Sequence, residues 1–167
     1  AADAQQPVAR RIEARGFGVD DHPAVGLLDR RLPASPTQEV LQRGEHVVGH
    51  KIGLTARAMQ ELFGVNEPDY GHLLDTMLHD ERVPLDLSTL IDPQIEIEPA
   101  FVLGSRLQGP NVGIADVLAA TEYVCVCFEV IDSRIIDWRV RLQDTVADNG
   151  SSARVVLGAF KAAPNTL

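Results

Sequence analysis

The segment YVCVCFEVID, residues 123–132, is the part of the sequence that most limits the possible folds. It is the most hydrophobic run of the chain and is rich in valine, cysteine and aromatic residues. A short continuous apolar run of this composition predicts a buried strand. One acid, Glu129, interrupts the run, and an ionised side chain in such a place needs a partner.

The composition limits the class of protein. Of the 167 residues 45% are apolar, enough for one domain with a sizeable core or for a fragment of a larger one. The net charge of -9 argues against a nucleic-acid partner. No apolar run reaches the roughly 18 residues of a transmembrane helix, and the N-terminal segment has no apolar signal core. The only cysteines, Cys125 and Cys127, are badly placed for a disulfide and predict buried thiols in a reducing, cytoplasmic setting.

Helix and strand patterns are mixed along the chain and predict an α+β fold. The patterns predict strands at 46–54, around the segment 93–104, at 124–132 and at 153–160, and helices at 35–44, 55–64 and 114–123. Thr55 is the predicted N-cap of the helix at 55–64, and Gly64 is its predicted end. Residues 65–71, VNEPDYG, predict a turn-rich loop.

A second acidic pattern lies in PQIEIEPAFVLG, residues 93–104. Side chains alternate along a strand, so Glu96 and Glu98 face one side, with their carboxylates within about 7 Å of each other. In an apolar setting such a pair is costly unless something neutralises it, and a hard divalent cation such as Mg²⁺ or Mn²⁺ does so. The alternative is a solvated face at the edge of a sheet.

Glu129 strengthens the metal hypothesis without deciding it. An ion pair with Lys51 or Arg134 would satisfy a lone buried glutamate. A third carboxylate at one metal site is the other possibility. Lys51 in GHKIGLT and Asp69 in PDYG have similarly ordinary explanations, as a paired or solvated lysine and as a turn residue.

Three segments of the sequence resemble a known family. The segments VVGHKIGLTARAMQELFGVNEPDYGHLLDTM, PQIEIEPAFVLG and FEVIDSRIIDWRVRLQDTVADNGSSARVVLG occur in the order found in 2-keto-4-pentenoate hydratases, also called 2-hydroxypentadienoate hydratases. These enzymes belong to the fumarylacetoacetate hydrolase superfamily. The resemblance covers Val47 to Gly158 and is specific for the family more than for the substrate.

The resemblance implies roles for individual residues. Glu96, Glu98 and Glu129 match the three metal-binding carboxylates, with Mg²⁺ or Mn²⁺ as the cofactor. Lys51 and Asp69 match groups that handle or orient protons. The predicted contacts with the substrate come from Leu54, Thr55 and Ser151.

The resemblance also implies a fold and its division. We expect a mixed β-roll or sandwich of the fumarylacetoacetate hydrolase C-terminal type with flanking helices, incomplete at the C-terminus because family members continue for about another 90 residues. Residues 1–44 are predicted to be an N-terminal helical arm, irregular at 16–35, and residues 45–167 the β-rich catalytic domain. Pro99 stands where the family usually has an aliphatic residue, so the strand is expected to be an edge or bulged there.

The implied activity is a metal-dependent hydro-lyase that adds water to a 2-hydroxy-2,4-dienoate and yields a 4-hydroxy-2-oxo acid, in meta-cleavage catabolism of aromatic or steroid compounds. Three alternatives remain open: a decarboxylase of 2-oxo-hex-3-enedioate, a C–C bond hydrolase, whose acid–histidine pair is not seen, and a non-catalytic partner subunit. A small 2-oxo acid substrate, a homo-oligomer and a complex with a pathway decarboxylase or aldolase are the expected partners, with no nucleic acid and no membrane.

Overall fold

The computed structural model describes residues 26–29 and 43–166. Its strands are β1 (Gly26–Asp29), β2 (Val47–Gly53), β3 (Asp69–Leu74), β4 (Leu78–His79), β5 (Gln94–Leu103), β6 (Thr121–Ile131) and β7 (Ser152–Leu157). Its α-helices are α1 (Arg57–Phe63), α2 (Ile114–Ala120) and α3 (Leu142–Ala147). Short 3₁₀ turns lie at Asp75–Met77, Leu87–Thr89, Ile136–Trp138, Asn149–Ser151 and Pro164–Thr166.

The described strands form one mixed sheet in the order β3-β2-β1-β5-β6-β7-β4. Strands β5 and β6, the two longest, pair antiparallel over almost their whole length near the middle of the sheet. β6 also pairs with β7, and β5 pairs in parallel with β1. The α+β prediction is confirmed, and the buried strand predicted at 124–132 is the centre of this arrangement.

The core lies on the face of the sheet where β5 and β6 present small and medium apolar side chains. Its buried members are Leu73, Ala100, Val102, Tyr123, Cys125, Cys127 and Val155. Both cysteines are free and buried, as the sequence predicts. Because this core is continuous with the acidic side chains of the same two strands, those acids are held at fixed positions.

Two local predictions are wrong. Helix α1 begins at Arg57 with Ala56 as its N-cap and no side-chain cap, so Thr55 does not cap it. Gly64 does end this helix, in the left-handed conformation with φ 65°. The predicted loop at 65–71 is too long, because Asp69 already begins β3, where pairing with β2 outweighs the local turn signal.

Pro99 lies opposite Val126 in an unshifted stretch of the β5–β6 ladder, so no bulge forms there. On the other side of β5, the described pairing with β1 begins one residue later, at Ala100. The residues before Gly26 lie outside the described part of the chain, so the expected edge beside Pro99 stays a prediction.

The N-terminal arm is described only at residues 26–29. These four residues form a strand of the sheet, within the stretch predicted to be irregular. Of the helix predicted at 35–44, residues 35–42 lie outside the described residues, as does the rest of the predicted arm up to residue 42, and residues 43–44 form a turn. The division at residue 44 stays a prediction. No helix in the described part of the chain has the length and apolar character needed to cross a bilayer.

Candidate metal and active site

Three carboxylates converge on the face shared by β5 and β6. Glu96 lies directly opposite Glu129 in the antiparallel ladder, and Glu98 follows two residues along the same face, opposite Cys127. One oxygen of each glutamate lies within 4.8 Å of one oxygen of each of the other two. The structure thus brings together the three residues that the sequence suggests as metal ligands.

The acids point inward while a large apolar neighbour points outward. Glu98 is 7% exposed and Glu129 only 2%. Ile97, which lies between Glu96 and Glu98 on the strand, is 69% exposed. Neither oxygen of Glu129 has a hydrogen-bond partner in the described structure. This is the reverse of ordinary strand patterning, and it rules out the solvated edge face as the explanation of the acidic pair.

The electrostatics of this cluster are unfavourable without a further cation. Burial, and then the negative charges of Glu129 and Glu96, raise the pKa of Glu98 to about 8. Burial also raises the pKa of Glu96, with Lys51 opposing the shift. Desolvation and mutual repulsion both disfavour three ionised carboxylates here. Hard oxygen ligands at this spacing are suited to a hard divalent cation.

Lys51 supplies the positive charge that the described structure places at the cluster. It is 4% exposed, and its Nζ lies 3.5 Å from Oε2 of Glu129 and donates a hydrogen bond of 3.0 Å to the carbonyl oxygen of Gly150. Burial by itself lowers the pKa of Lys51, but the surrounding carboxylates, Glu129 first, outweigh it and raise that pKa. The ion-pair alternative for Glu129 is therefore observed together with the three-carboxylate cluster.

Asp69 approaches the same lysine from β3. It is 5% exposed, its Oδ1 has no hydrogen-bond partner in the described structure, and it lies opposite Gly53 in the ladder. A Cβ atom at Gly53 would lie 2.3 Å from Oδ1 of Asp69 and 3.2 Å from Nζ of Lys51. The two groups predicted to handle protons therefore converge over a position that has no side chain.

The three predicted substrate contacts lie around this centre in different ways. Leu54 and Thr55 follow β2 directly beyond Gly53, and Leu54 has a left-handed backbone with φ 55°. Ser151 is 4% exposed and donates its hydroxyl to Oδ2 of Asp148 at 2.7 Å. In the described structure Ser151 supports its own loop, and its contact with a substrate stays a prediction.

A small cavity of about 10 Å³, enough for about one water-sized ligand, lies beside Lys51, Glu98 and Glu129. Its lining consists of Lys51, Leu73, Glu98, Ala100, Cys127, Glu129 and Val155. Two wider surface hollows of about 340 Å³ each include none of the three glutamates in their lining, and one of them shares only Val155 with the small cavity. We place the site at the small cavity because it is lined by Glu129, whose buried oxygens have no hydrogen-bond partner in the described structure.

Sequence reasoning missed three residues of the region around Lys51. The Gly150 carbonyl oxygen accepts the hydrogen bond of Lys51, Asn149 precedes Gly150 in the same turn, and Gly53 leaves space next to Nζ of Lys51. The only sequence signal was the triplet Asp-Asn-Gly, which predicts a turn but not what the turn contacts.

A sheet that presents three converging carboxylates, two of them buried, with a lysine beside them defines a metal-site scaffold typical of an enzyme. The chain matches no family model. It is 45% identical over 165 residues to 2-hydroxypent-2,4-dienoate hydratase of Pseudomonas putida, covering 96% of this chain and 70% of that one. It therefore belongs to the 2-keto-4-pentenoate hydratase family, as the sequence predicts; hydratases of this kind are hydro-lyases.

Other relatives carry related names. The 2-hydroxyhexa-2,4-dienoate hydratase of Comamonas testosteroni is 48% identical over 126 residues, 74% of this chain and 48% of the relative. The 2-oxo-hept-4-ene-1,7-dioate hydratase of Escherichia coli is 41% identical over 133 residues, 76% of this chain and 50% of the relative. The chain thus spans about half the length of these two relatives.

Solved structures show the same fold in a decarboxylase. The 4-oxalocrotonate decarboxylase from Pseudomonas putida G7, complexed with magnesium and adipate, matches with a TM-score of 0.73 and 38% identity. The match covers 78% of this chain and 49% of that one. The same decarboxylase complexed with calcium and acetate matches with a TM-score of 0.69.

Proposed function

We propose that the chain carries the metal and proton-transfer site of a hydratase that adds water to a 2-hydroxy-2,4-dienoate, giving a 4-hydroxy-2-oxo acid. The observation that carries the proposal is the buried cluster of Glu96, Glu98 and Glu129 with Lys51 against it. The names of the hydratase relatives support this reaction. The reaction would belong to the meta-cleavage catabolism of aromatic or steroid compounds.

The three glutamates would hold a divalent cation, Mg²⁺ or Mn²⁺. Three converging carboxylates, one of them with neither oxygen hydrogen-bonded, fit a hard cation that takes oxygen ligands. The magnesium and calcium in the solved decarboxylase structures support the same class of ion. When bound, such a cation polarises the 2-oxo group of a substrate and compensates its negative charge.

Lys51 and Asp69 would move the protons. Hydration requires a proton to leave the 2-hydroxyl group and another to reach C5, which brings the remaining double bond into conjugation with the 2-oxo group. Water then adds at C4 and a proton is delivered to C3. The buried ammonium group of Lys51 can donate a proton. The carboxylate oxygen of Asp69 that has no hydrogen-bond partner can accept a proton or orient the attacking water. Leu54, Thr55 and Ser151 would contact the substrate.

A decarboxylase of 2-oxo-hex-3-enedioate is the second candidate. The solved structures that match this chain are those of a 4-oxalocrotonate decarboxylase, and the same cation chemistry would serve that reaction. The two reactions differ in the fate of the second substrate carboxylate. Release of CO₂ from 2-oxo-hex-3-enedioate therefore distinguishes the two reactions.

The surrounding architecture belongs to the same proposal. A β-roll of the fumarylacetoacetate hydrolase type, a homo-oligomer, a complex with a pathway decarboxylase or aldolase, and a cytoplasmic location would suit such an enzyme. The chain spans about half of most relatives quoted above, so these features concern the whole protein.

Turnover of 2-hydroxypenta-2,4-dienoate by the purified chain, whose intact mass is verified, tests the proposal. We expect loss of the dienoate absorbance with Mg²⁺ or Mn²⁺ and none after chelation. Glu129→Gln removes the most buried ligand, so kcat/KM should fall by at least about a hundredfold.

The matched control is Glu122→Gln, because Glu122 lies on the same strand but is exposed. It should retain wild-type turnover. Wild-type turnover in Glu129→Gln, or undiminished turnover after metal removal, would contradict the metal assignment. CO₂ release without hydration would favour the decarboxylase.

A further inference from the structure

The turn after α3 has an unusual backbone. Asn149, Gly150 and Ser151 are consecutive and all left-handed, with φ of 57°, 60° and 56°. Only glycine adopts this conformation freely, and asparagine tolerates it better than most other residues. Such a run persists where surrounding contacts hold it in place.

Asn149 fixes this turn to the neighbouring strand β3. Its Oδ1 accepts a hydrogen bond of 2.7 Å from the backbone N–H of His72, and its Nδ2 donates one of 2.9 Å to the His72 carbonyl oxygen. Both polar groups of the side chain are therefore used on one residue of β3. A side-chain amide is suited to this because it offers a donor and an acceptor side by side.

The turn in its fixed position holds the end of Lys51. The Gly150 carbonyl oxygen accepts from Nζ at 3.0 Å. A Cβ atom at Gly150 would lie 2.6 Å from Cδ of Lys51, and one at Gly71 would lie 2.5 Å from the Asn149 carbonyl oxygen. The turn, β3 and the lysine thus pack too closely for a shift of the turn to leave Nζ where it is.

We propose that Asn149 is a positioning residue for Lys51: its two hydrogen bonds to His72 hold the turn so that the Gly150 carbonyl keeps the Lys51 ammonium beside Glu129 and near Asp69. The significance of this for turnover rests on the proposed function. The positioning itself does not, because it concerns contacts within this chain.

The chain has two lysines, Lys51 and Lys161, so a lysine-selective ¹³C label gives two sets of Cε–Hε signals. Lys161→Arg assigns them. A fixed Lys51 should show two distinct Hε resonances. Asn149→Gly removes both hydrogen bonds without adding backbone strain at φ 57°, so these resonances should merge while those of Lys161 stay unchanged.

Two further variants complete the test. Asn149→Asp keeps the acceptor for the His72 N–H and loses the donor, so it should fold even if the glycine variant does not, with a reduced Hε separation. Thr121→Val is the stability control. It removes a buried hydroxyl that donates to the Val117 carbonyl oxygen at 2.7 Å, eight residues along β6 from Glu129, and should leave the Lys51 signals unchanged.

In a chain that turns over dienoate, Asn149→Gly should lower kcat by about tenfold or more through misplacement of Nζ, with KM little changed. Wild-type Hε separation in Asn149→Gly, or in Asn149→Asp where only that variant folds, overturns the inference. Merging of the signals in Thr121→Val also overturns it. Absence of turnover in the wild-type chain with the expected spectra counts against the proposed function alone.

Discussion

Gly53 shows how much of this site is decided by a single absent side chain. It lies at the end of β2 opposite Asp69, where Oδ1 of Asp69 and Nζ of Lys51 occupy the space that a Cβ atom would take. Nothing in its backbone demands glycine through a positive φ. The demand is steric, since two buried polar groups approach each other across the strand.

Replacing this glycine should therefore displace the proton-transfer groups. In Gly53→Ala the new Cβ atom would lie 2.3 Å from a buried carboxylate oxygen, so Asp69 must move. We expect kcat to fall at least about tenfold, with a loss of about 1–3 kcal/mol in the free energy of unfolding. Steady-state kinetics and chemical denaturation measure the two effects.

Gly113→Ala is the matched control, because a Cβ atom there meets nothing nearer than 3.6 Å. It should leave kcat at the wild-type value and lower the free energy of unfolding by about 0.5–1 kcal/mol, because Gly113 is the N-cap of α2 and alanine is a poorer N-cap than glycine. Wild-type kcat in Gly53→Ala would mean that Asp69 does not work from its observed position.

The candidate metal ligands of this site can be recognised in the sequence, whereas the residues that surround and position them cannot. Glu96, Glu98 and Glu129 stand out because acids interrupt strongly apolar strands. Gly53 and Asn149 do not stand out, because their roles depend on which residue lies opposite them once β2, β3 and the turn are paired. The loop predicted at 65–71 is too long for the same reason, since the pairing of β3 with β2 overrides the local turn signal.

At the scale of elements, the turn at 148–151 is anchored on two sides. Asn149 ties it to β3, and Asp148 ties it to the segment after β6. The Asp148 carboxylate accepts from the hydroxyls of Ser133 and Ser151 and from the guanidinium of Arg134. Burial alone would raise the pKa of Asp148, but these hydrogen bonds, from Ser151 and then Arg134, lower it.

This lowered pKa makes a stability prediction with a definite sign. Ionised Asp148 stabilises the folded chain above its unfolded pKa of about 3.9, and that contribution is lost as the pH falls through the lower folded pKa. Asp148→Asn should cost about 1–3 kcal/mol at pH 7, moderated by the partial exposure of Arg134, and progressively less in acid. Urea denaturation at several pH values measures the difference.

Asp137→Asn is the control for that series. Asp137 is mostly exposed and pairs with Arg139 at 3.5 Å on the surface, an interaction of little energetic value. Its variant should track the wild type at each pH. A wild-type advantage over Asp148→Asn that persists unchanged in strong acid would show that the carboxylate charge is not what holds the turn.

For the molecule as a whole, the topology explains why residues distant in sequence meet. Glu96 and Glu129 lie 33 positions apart yet oppose each other in the β5–β6 ladder. Lys51 reaches them from β2, although β1 lies between β2 and β5 in the sheet. The α+β class and the central strands could be predicted from hydrophobic patterning, but the order of strands could not, because patterning specifies faces and not neighbours.

The acidic cluster also makes the stability of the whole molecule depend on metal and pH together. The pKa of Glu98 is about 8, so without metal the folded chain keeps a proton that the unfolded chain has lost. Stability of the metal-free chain should therefore fall as the pH rises from about 4 to about 8. A divalent cation bound only by the folded state should restore it, by about 2.7 kcal/mol at a hundred times its Kd.

Glu98→Gln separates these effects, since it removes the charge whose burial is unfavourable together with a metal ligand. Thermal unfolding at pH 8 should show the metal-free Glu98→Gln variant at least as stable as the metal-free wild type. Mn²⁺ should raise the Tm of the wild type but not that of Glu98→Gln. Glu122→Gln, with its exposed acid, should respond to Mn²⁺ like the wild type. An equal rise in Tm for Glu98→Gln would place the cation elsewhere, because a site that lacks one of three carboxylates binds more weakly.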